Sequence, residues 1–202
     1  MKNVFLMLVV LCCLTARSQA QSPLQDAFSR SYKLENDGDY KKAADSLKLF
    51  YEENNYGLNL RLGYLYYEAQ QYDDSKKYYE KAILLMPNAI EPKLGYALPL
   101  SAIGDWNKVV ALYQEILNID PQNTKVNYRM ALISYNNKDY KTALAYIIKV
   151  TTLFPFDYDS LILDAWINYQ LGKTDDAKTL FNRVLLLVPN DSSAKEGLGL
   201  IK

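Results

Sequence analysis

The residue types that most often carry enzyme chemistry are scarce in this chain of 202 residues. It contains no histidine, and its two cysteines, Cys12 and Cys13, are adjacent near the amino terminus. Nucleophiles activated by histidine, thiol redox centres and most metal sites are therefore excluded from the rest of the sequence. Adjacent acidic side chains point apart on a helix and make poor catalytic pairs; they are Glu52–Glu53, Asp73–Asp74 and Asp175–Asp176. The sequence predicts a protein that is not an enzyme and has no cofactor and no metal site.

Tyrosine is the abundant residue with a functional side chain, at 18 copies. Tyrosine and tryptophan offer a large, rigid contact area with a polar tip, and they are enriched where proteins bind each other. Lysine and arginine number 23, as do aspartate and glutamate, so the formal net charge is zero. Binding to nucleic acid usually needs a basic excess, which is absent here. The composition therefore favours a protein or peptide partner and no nucleic acid.

The amino terminus has the layout of an export signal. Lys2 precedes an uncharged apolar run at Val4–Leu14, and the small residues Ser18 and Ala20 stand before the expected cleavage point. We predict a cleaved signal peptide over residues 1–20 and a periplasmic or secreted mature protein over residues 21–202. No cysteine remains after cleavage, and an exported domain without disulfides favours a bacterial periplasm. Lipidation of either cysteine stays an alternative, although a lipidation signal prefers a smaller preceding residue.

A repeat of 34 residues follows the amino terminus, since prolines recur at Pro87, Pro121, Pro155 and Pro189. Within the copies, apolar residues recur three and four positions apart, which is typical of amphipathic helices. A glycine or polar residue stands between the two helical stretches of each copy. These turn residues are Gly38, Gln70, Gly104, Lys138 and Gly172. The copies are therefore predicted to be helix–turn–helix units, closed in all but the first by a proline that cannot continue a helix.

This layout resembles the tetratricopeptide repeat family, of which the chain is predicted to be an exported bacterial member. The copy at 56–89 carries the family's residues in order: Leu62, Gly63, Tyr66, Tyr72, Ser75, Tyr79, Ala82 and Pro87. The resemblance implies an all-α, right-handed α-solenoid of about five repeats, with small residues at Gly63, Ala97, Ala131 and Ala165 where the helices approach closely. The repeats are predicted at about 24–55, 56–89, 90–123, 124–157 and 158–191, with a capping helix at 192–202.

In this family the first helix of each repeat lines a concave face, and the resemblance therefore implies which residues meet a partner. The candidates are Tyr32, Leu60, Arg61, Tyr64, Tyr67, Leu98, Lys125, Tyr128, Arg129, Tyr135, Trp166 and Tyr169. They predict a scaffold of the bacterial envelope that binds a peptide or protein segment in an aromatic groove. Two alternatives are a module that binds envelope glycan (peptidoglycan) and a self-associating assembly factor, and the aromatic residues can also simply pack against one another. Peripheral association with the envelope is compatible with each.

Chaperone-binding members of the family hold a terminal carboxylate through a set of lysine, arginine and asparagine side chains. At the matching positions Lys125 and Arg129 fit, whereas Leu60, Tyr64 and Gly95 do not, so this partner is not expected. Pro99 falls inside a predicted helix, where its ring removes a hydrogen bond. Gly95 nearby and Pro92 at the helix start add to this irregularity. Together they predict a bend at the concave face, a wider groove, or a flexible joint between the repeats on the two sides.

Overall fold

All the secondary structure in the computed structural model, which describes residues 22–201, is helical. The predicted signal peptide lies outside the described residues. Two compact units are present, Met1–Phe50 and Tyr51–Lys202. The described helices are α1 (Pro23–Asn36), α2 (Tyr40–Lys48), α3 (Tyr56–Glu68), α4 (Tyr72–Leu85), α5 (Ile90–Ala102), α6 (Trp106–Ile119), α7 (Thr124–Asn136), α8 (Tyr140–Leu153), α9 (Tyr158–Gln170), α10 (Thr174–Leu187) and α11 (Ser192–Leu200).

The helices pack as consecutive pairs. In the first unit α1 packs on α2, with Ala43, Ala44 and Leu47 buried. In the second unit the pairs are α3–α4, α5–α6, α7–α8 and α9–α10; each pair packs on the next, and α11 packs on α9 and α10. The pairing confirms the predicted all-α architecture of stacked helix–turn–helix repeats. It also shows that α11 covers the last pair.

Side-chain caps fix where the first helix of most pairs begins. An amino-terminal cap accepts a hydrogen bond from a backbone N–H that has no partner within the helix. Asn55, Asn123 and Asp157 cap α3, α7 and α9 in this way, and Asp191 caps α11. In the first unit Ser22 and Gln25 cap α1 reciprocally. These polar residues come directly before apolar helical stretches, so the sequence itself specifies the starts.

The same turn joins the two helices of every described pair. Its central residue has a positive φ, from 59° to 78°, at Gly38, Gln70, Gly104, Lys138 and Gly172. The N–H of that residue and the N–H of the next bond back to carbonyls of the preceding helix, for example Gly104 to Ser101 and Asp105 to Leu100. This pattern is a Schellman motif, which favours glycine because a Cβ is strained at positive φ. The predicted turn residues are confirmed.

The conformation at Gly104 predicts the cost of adding a side chain there. A Cβ at Gly104 would meet no atom within 4 Å, so any penalty comes from φ +78° alone. We expect Gly104→Ala to lower the free energy of unfolding by about 1 kcal/mol in urea denaturation. Gly199→Ala is the control, because Gly199 lies in α11 without positive φ and also meets no atom within 4 Å. Equal stability of the two variants would contradict the strain argument.

The core of the second unit consists of clusters that each span several helices. The first cluster includes Tyr79 of α4, Tyr96 of α5, Tyr113 of α6 and Val126 of α7. The second joins α7, α8 and α9, and the third joins α9, α10 and α11. The predicted close-approach residues Gly63, Ala97, Ala131 and Ala165 are all buried. Because each cluster crosses repeat boundaries, no single pair in this unit holds its core alone.

Five tyrosines had no assignment from the sequence, and the structure gives them contacts. Tyr78 is buried and stacks on Tyr66, with 5.4 Å between ring centroids, and Tyr51 meets Tyr78 edge-on at 5.5 Å. The Tyr158 hydroxyl donates to the Asp191 carboxylate at 2.6 Å. Burial and the nearby Glu91 carboxylate raise the pKa of Tyr56, and Tyr146 lies beneath the Lys149 ammonium. These tyrosines stabilise the fold.

Pro99 does not interrupt its helix. α5 is continuous over Ile90–Ala102, and the Pro99 ring is buried in its last turns. The helix continues to its end, where the Ile103 N–H bonds the Pro99 carbonyl at 3.2 Å. The carbonyl of Gly95 loses its usual backbone donor, since proline has no N–H. The sequence interpretation of Gly95 as part of a local irregularity was incomplete, because Gly95 also has a packing role described below.

Candidate functional site

The predicted partner-binding residues of the second unit lie on α3, α5, α7 and α9, the first helices of the four pairs. All six of their aromatic rings are half-buried: Tyr64, Tyr67, Tyr128, Tyr135, Trp166 and Tyr169. Leu60 and Arg61 are half-buried too, whereas Leu98, Lys125 and Arg129 are exposed. In the first unit, Tyr32 of α1 is 52% exposed. The rings therefore combine packing with accessible surface. This exposure is compatible both with an aromatic binding groove and with rings that pack against one another.

A tyrosine cluster lies where α3 meets α5. The Tyr79 ring contacts both helices, with Gly63 of α3 beside its Cγ end and Gly95 of α5 beside its Cζ end. Burial, reinforced by the neighbouring Tyr64 and Glu68, raises the pKa of the Tyr79 hydroxyl above its ordinary value. This hydroxyl therefore stays protonated at neutral pH.

An open groove of about 330 Å³ lies between the third and fourth pairs of the second unit. α7 contributes Lys125, Tyr128 and Arg129, all three predicted from the sequence. The other lining residues are Thr124, Val150, Phe154, Asp157, Asp159 and Ser160. Phe154 is 52% exposed. The groove thus combines an accessible aromatic surface with cations from α7 and carboxylates from the start of α9.

The charged side chains of this groove differ in whether they already have a partner within the described chain. Asp157 is committed to capping α9, since it accepts hydrogen bonds from the Ser160 N–H at 3.0 Å and the Ser160 hydroxyl at 2.6 Å. Within the described part of the chain, Lys125 and Arg129 form no ion pair and remain exposed. Burial and the Asp159 carboxylate raise the pKa of Tyr128, while Arg129 opposes the shift. The free cations are therefore available to a ligand.

The remaining candidates lie outside this groove. Trp166 donates its indole N–H to the Ser193 hydroxyl of α11 at 2.8 Å, and its ring meets Phe181 at 5.1 Å and Tyr169 at 5.6 Å. Trp166 thus holds the capping helix in addition to any contact with a partner. Tyr135 packs near Tyr140 on the same pair, with ring centroids 5.5 Å apart. The structure does not gather all the predicted residues into one pocket.

Asp164 is a buried carboxylate that the sequence interpretation did not single out. It lies on α9 with 5% exposure and accepts hydrogen bonds from the Thr151 hydroxyl at 3.1 Å and the Asn168 amide at 2.7 Å. Burial raises the pKa of its carboxyl, and the two hydrogen bonds only partly offset that effect. The signal available in the sequence was an acidic residue at a buried repeat position, where Tyr96 and Met130 stand in other copies.

The raised pKa of Asp164 predicts a pH dependence of stability. Between the unfolded and folded pKa values the native protein holds more protons, so the free energy of unfolding falls as pH rises through that window. The stabilising effect is complete below the unfolded pKa, about 4. We expect Asp164→Asn to be more stable than wild type at pH 7 and to lose this advantage near pH 4. Urea denaturation at both pH values measures it, and an advantage that persists at pH 4 would contradict the prediction.

Neither a metal site nor a membrane span is found among the described residues. No group of three or more cysteine, aspartate or glutamate side chains there could hold a metal ion. No helix in that part of the chain is long and apolar enough to cross a bilayer. The predictions of no metal, no cofactor and no enzymatic activity stay predictions.

Comparisons with known proteins identify repeats in three segments of the chain. Three segments match tetratricopeptide repeat models, at residues 58–89, 124–157 and 165–191. The chain is 24% identical over 135 residues to the protein CTR9 homolog of Arabidopsis thaliana, which covers 66% of this chain and 12% of that protein. It is 30% identical over 73 residues to the uncharacterized protein ycf37 of Pyropia yezoensis, which covers 36% of this chain and 41% of that one. The chain thus spans less than half of either relative.

Solved structures share the fold. A tetratricopeptide repeat protein from Parabacteroides merdae superposes with a TM-score of 0.74 at 20% identity, over 87% of this chain and 71% of that chain. MamA from Desulfovibrio magneticus superposes with a TM-score of 0.69 at 16% identity, over 85% of this chain and 98% of that chain. At these identities the likeness concerns the fold alone. The family matches show tetratricopeptide repeats in the three matched segments. The solved structures show that the same fold extends over most of the chain.

Proposed function

We propose that this chain of tetratricopeptide repeats is a non-catalytic scaffold of the bacterial envelope that binds a peptide or protein segment along the first helices of its repeats. Proteins of this repeat type generally bind other proteins, and the matched repeats support that general role. The observation that carries the specific proposal is the groove between α7 and α9. There an aromatic side chain, an exposed phenylalanine and two unpaired cations line one accessible space of about 330 Å³.

The chemistry of the groove favours an extended polypeptide. Tyr128 and Phe154 offer ring surface, Lys125 and Arg129 attract acidic side chains, and Asp159 attracts basic ones. A glycan site would be expected to present several planar amides beside its aromatic rings, and the groove lining contains none. Neighbouring aliphatic residues, including Leu132 and Ile162, also favour a protein partner over a sugar.

Export to the envelope is part of the same proposal. It is supported by the sequence at the amino terminus, with Lys2, the apolar run Val4–Leu14 and Ala20 before the cleavage point. The protein recovered from an envelope fraction would then begin at Gln21. Mass spectrometry of that protein measures the cleavage point and reveals any lipid on Cys12 or Cys13.

Truncation of the groove's tyrosine tests the proposal. We expect Tyr128→Ala to weaken binding of the partner by about 1–4 kcal/mol, because central aromatic anchors carry much of an interface's energy. The control is Tyr146→Ala: Tyr146 is also half-buried, packs on the same core and lies outside the groove. The measurement is quantitative capture from an envelope extract, followed by titration of the captured protein against both variants.

The outcomes separate the possible partners. Capture that Tyr128→Ala loses and Tyr146→Ala keeps supports the groove. Equal capture by both variants would place the partner elsewhere. Co-sedimentation with purified sacculi that depends on Tyr128, without any captured protein, would instead establish the glycan alternative. A dimer in sedimentation equilibrium that Tyr128→Ala dissociates would identify a second copy of the chain as the occupant.

A further inference from the structure

A second groove, of about 290 Å³, lies between α8 and α10 with α9 as its floor. Apolar side chains form its walls: Leu144 and Ile148 from α8 and Leu180 from α10. Asp164 and Asn168 of α9 form the floor, and Lys173, Asp176 and Thr179 lie at the rim. The groove thus has apolar sides and a polar, acidic base.

This groove is separate from the partner face described above. On α9, Asp164 and Asn168 are one turn apart and share one side of the helix. Ile162 and Trp166, on the proposed partner face, are also one turn apart. They lie on the opposite side of α9, because each is two positions from Asp164 and two helical positions correspond to a rotation of about 200°. A ligand of the second groove would therefore leave the first face free.

The floor carries hydrogen-bond acceptors that the chain itself satisfies only in part. Asp164 and Asn168 are 5% and 4% exposed. The Asn168 amide nitrogen donates to the Asp164 carboxylate and to the Asp164 carbonyl, but within residues 22–201 the Asn168 Oδ1 accepts no hydrogen bond. Asp164 has no ion pair in that range either, although each carboxylate oxygen can accept more than one hydrogen bond. A buried charge without a counter-ion is costly, so a cation at this floor would be stabilised.

We infer that the groove between α8 and α10 binds the lysine side chain of a partner protein. The four methylene groups of lysine match the apolar walls formed by Leu144, Ile148 and Leu180, and its ammonium reaches the floor. An ammonium has three donors and no acceptor, which complements the two Asp164 oxygens and the Asn168 Oδ1. Asp176 at the rim adds attraction for a cation. The elevated pKa of Asp164 fits a site that gains from a bound cation.

Small blocked amino acids test this inference on the full chain. N-acetyl-lysine methylamide is the probe, and N-acetyl-norleucine methylamide has nearly the same stem without the ammonium. We expect the lysine probe to shift the methyl NMR signals of Leu144, Ile148 and Leu180 and to bind at least tenfold more tightly than the norleucine probe. Asp164→Asn keeps the shape of the floor and removes its charge, and it should weaken the lysine probe at least tenfold. The matched control is Asp175→Asn, which changes an exposed carboxylate on α10 outside the groove.

The other possible outcomes would contradict the binding of a partner's lysine. Equal shifts with both probes, or lysine binding that Asp164→Asn leaves unchanged, would overturn the inference. Binding that appears only in Lys173→Met would show that the chain's own Lys173 fills the groove, which also overturns a partner lysine. Stronger binding by a free diamine such as cadaverine than by the blocked lysine would assign the site to a small molecule instead of a protein.

Discussion

Gly95→Ala is expected to lower the free energy of unfolding by about 2 kcal/mol, although alanine is the better helix former. A Cβ at Gly95 would lie 2.2 Å from Cε1 of the Tyr79 ring. That ring cannot move away easily, because its Cγ end is packed against Gly63, where a Cβ would lie 2.8 Å from Tyr79 Cγ. Since Tyr79 is 3% exposed, the strain has to be relieved by moving α5 relative to α3 and α4.

The matched control for Gly95 is another glycine in a first helix. Gly57 lies in the first turn of α3, and a Cβ there would have only an ordinary contact, at 3.5 Å, with the Asn55 side chain. Gly57→Ala should therefore stabilise the protein, by up to about 1 kcal/mol. Urea denaturation of both variants measures the difference. In a Tyr79→Leu background Gly95→Ala should cost less, and an unchanged cost there would refute the proposed clash.

Phe181→Ala is expected to cost about 4 kcal/mol and to release the capping helix first. Phe181 is fully buried on α10, meets the Trp166 ring at 5.1 Å and lies against Gly197 of α11. Its removal leaves a cavity at the place where α9, α10 and α11 meet. Hydrogen exchange should show faster exchange across α11 before α3 and α4 are affected, since stability is local in repeat proteins.

Two companion variants make the Phe181 result interpretable. Phe156→Ala removes the same side chain from an exposed site, where the ring is 56% exposed and contacts Arg183, and it should cost about 1 kcal/mol or less. Phe181→Leu keeps most of the volume and should cost about 1.5 kcal/mol. If Phe181→Ala unfolds all helices together, with no earlier exchange in α11, the cap is not an independent weak point.

The sequence predicts the fold well because its repeat signals are local. A proline or a turn residue acts through its own backbone angles, so Pro121 or Gly104 marks a helix boundary without reference to the rest of the chain. Even Gln70 and Lys138, which are not glycines, were identified from register alone, and both have positive φ. The helical spacing of apolar residues is equally local, and Tyr79, named from the repeat register, is a buried core residue of its second helix.

The features that the sequence did not reveal depend on contacts between repeats. The sequence analysis treats Gly95 as part of an irregular stretch, yet Gly95 packs against the Tyr79 ring of the preceding pair. Asp164 and Asn168 become a polar floor only because α8 and α10 flank them. In the same way, the sequence placed Lys125 and Arg129 one turn apart but could not supply Phe154 and Asp159 from other elements. Such sites require the three-dimensional stacking, which a pattern within one repeat does not specify.

The aromatic–glycine contact has a consequence for the order of the repeats. At two junctions of the second unit, a bulky ring at the Tyr79 position meets a glycine at the Gly95 position of the helix that follows. Tyr79 meets Gly95 and Phe181 meets Gly197, whereas the smaller Ile147 packs in one cluster with Leu163. A Cβ at Gly197 would lie 2.2 Å from Phe181, so a larger residue there would clash with that ring. At these two junctions the neighbouring repeats are therefore not interchangeable, because the ring of one requires a glycine in the next.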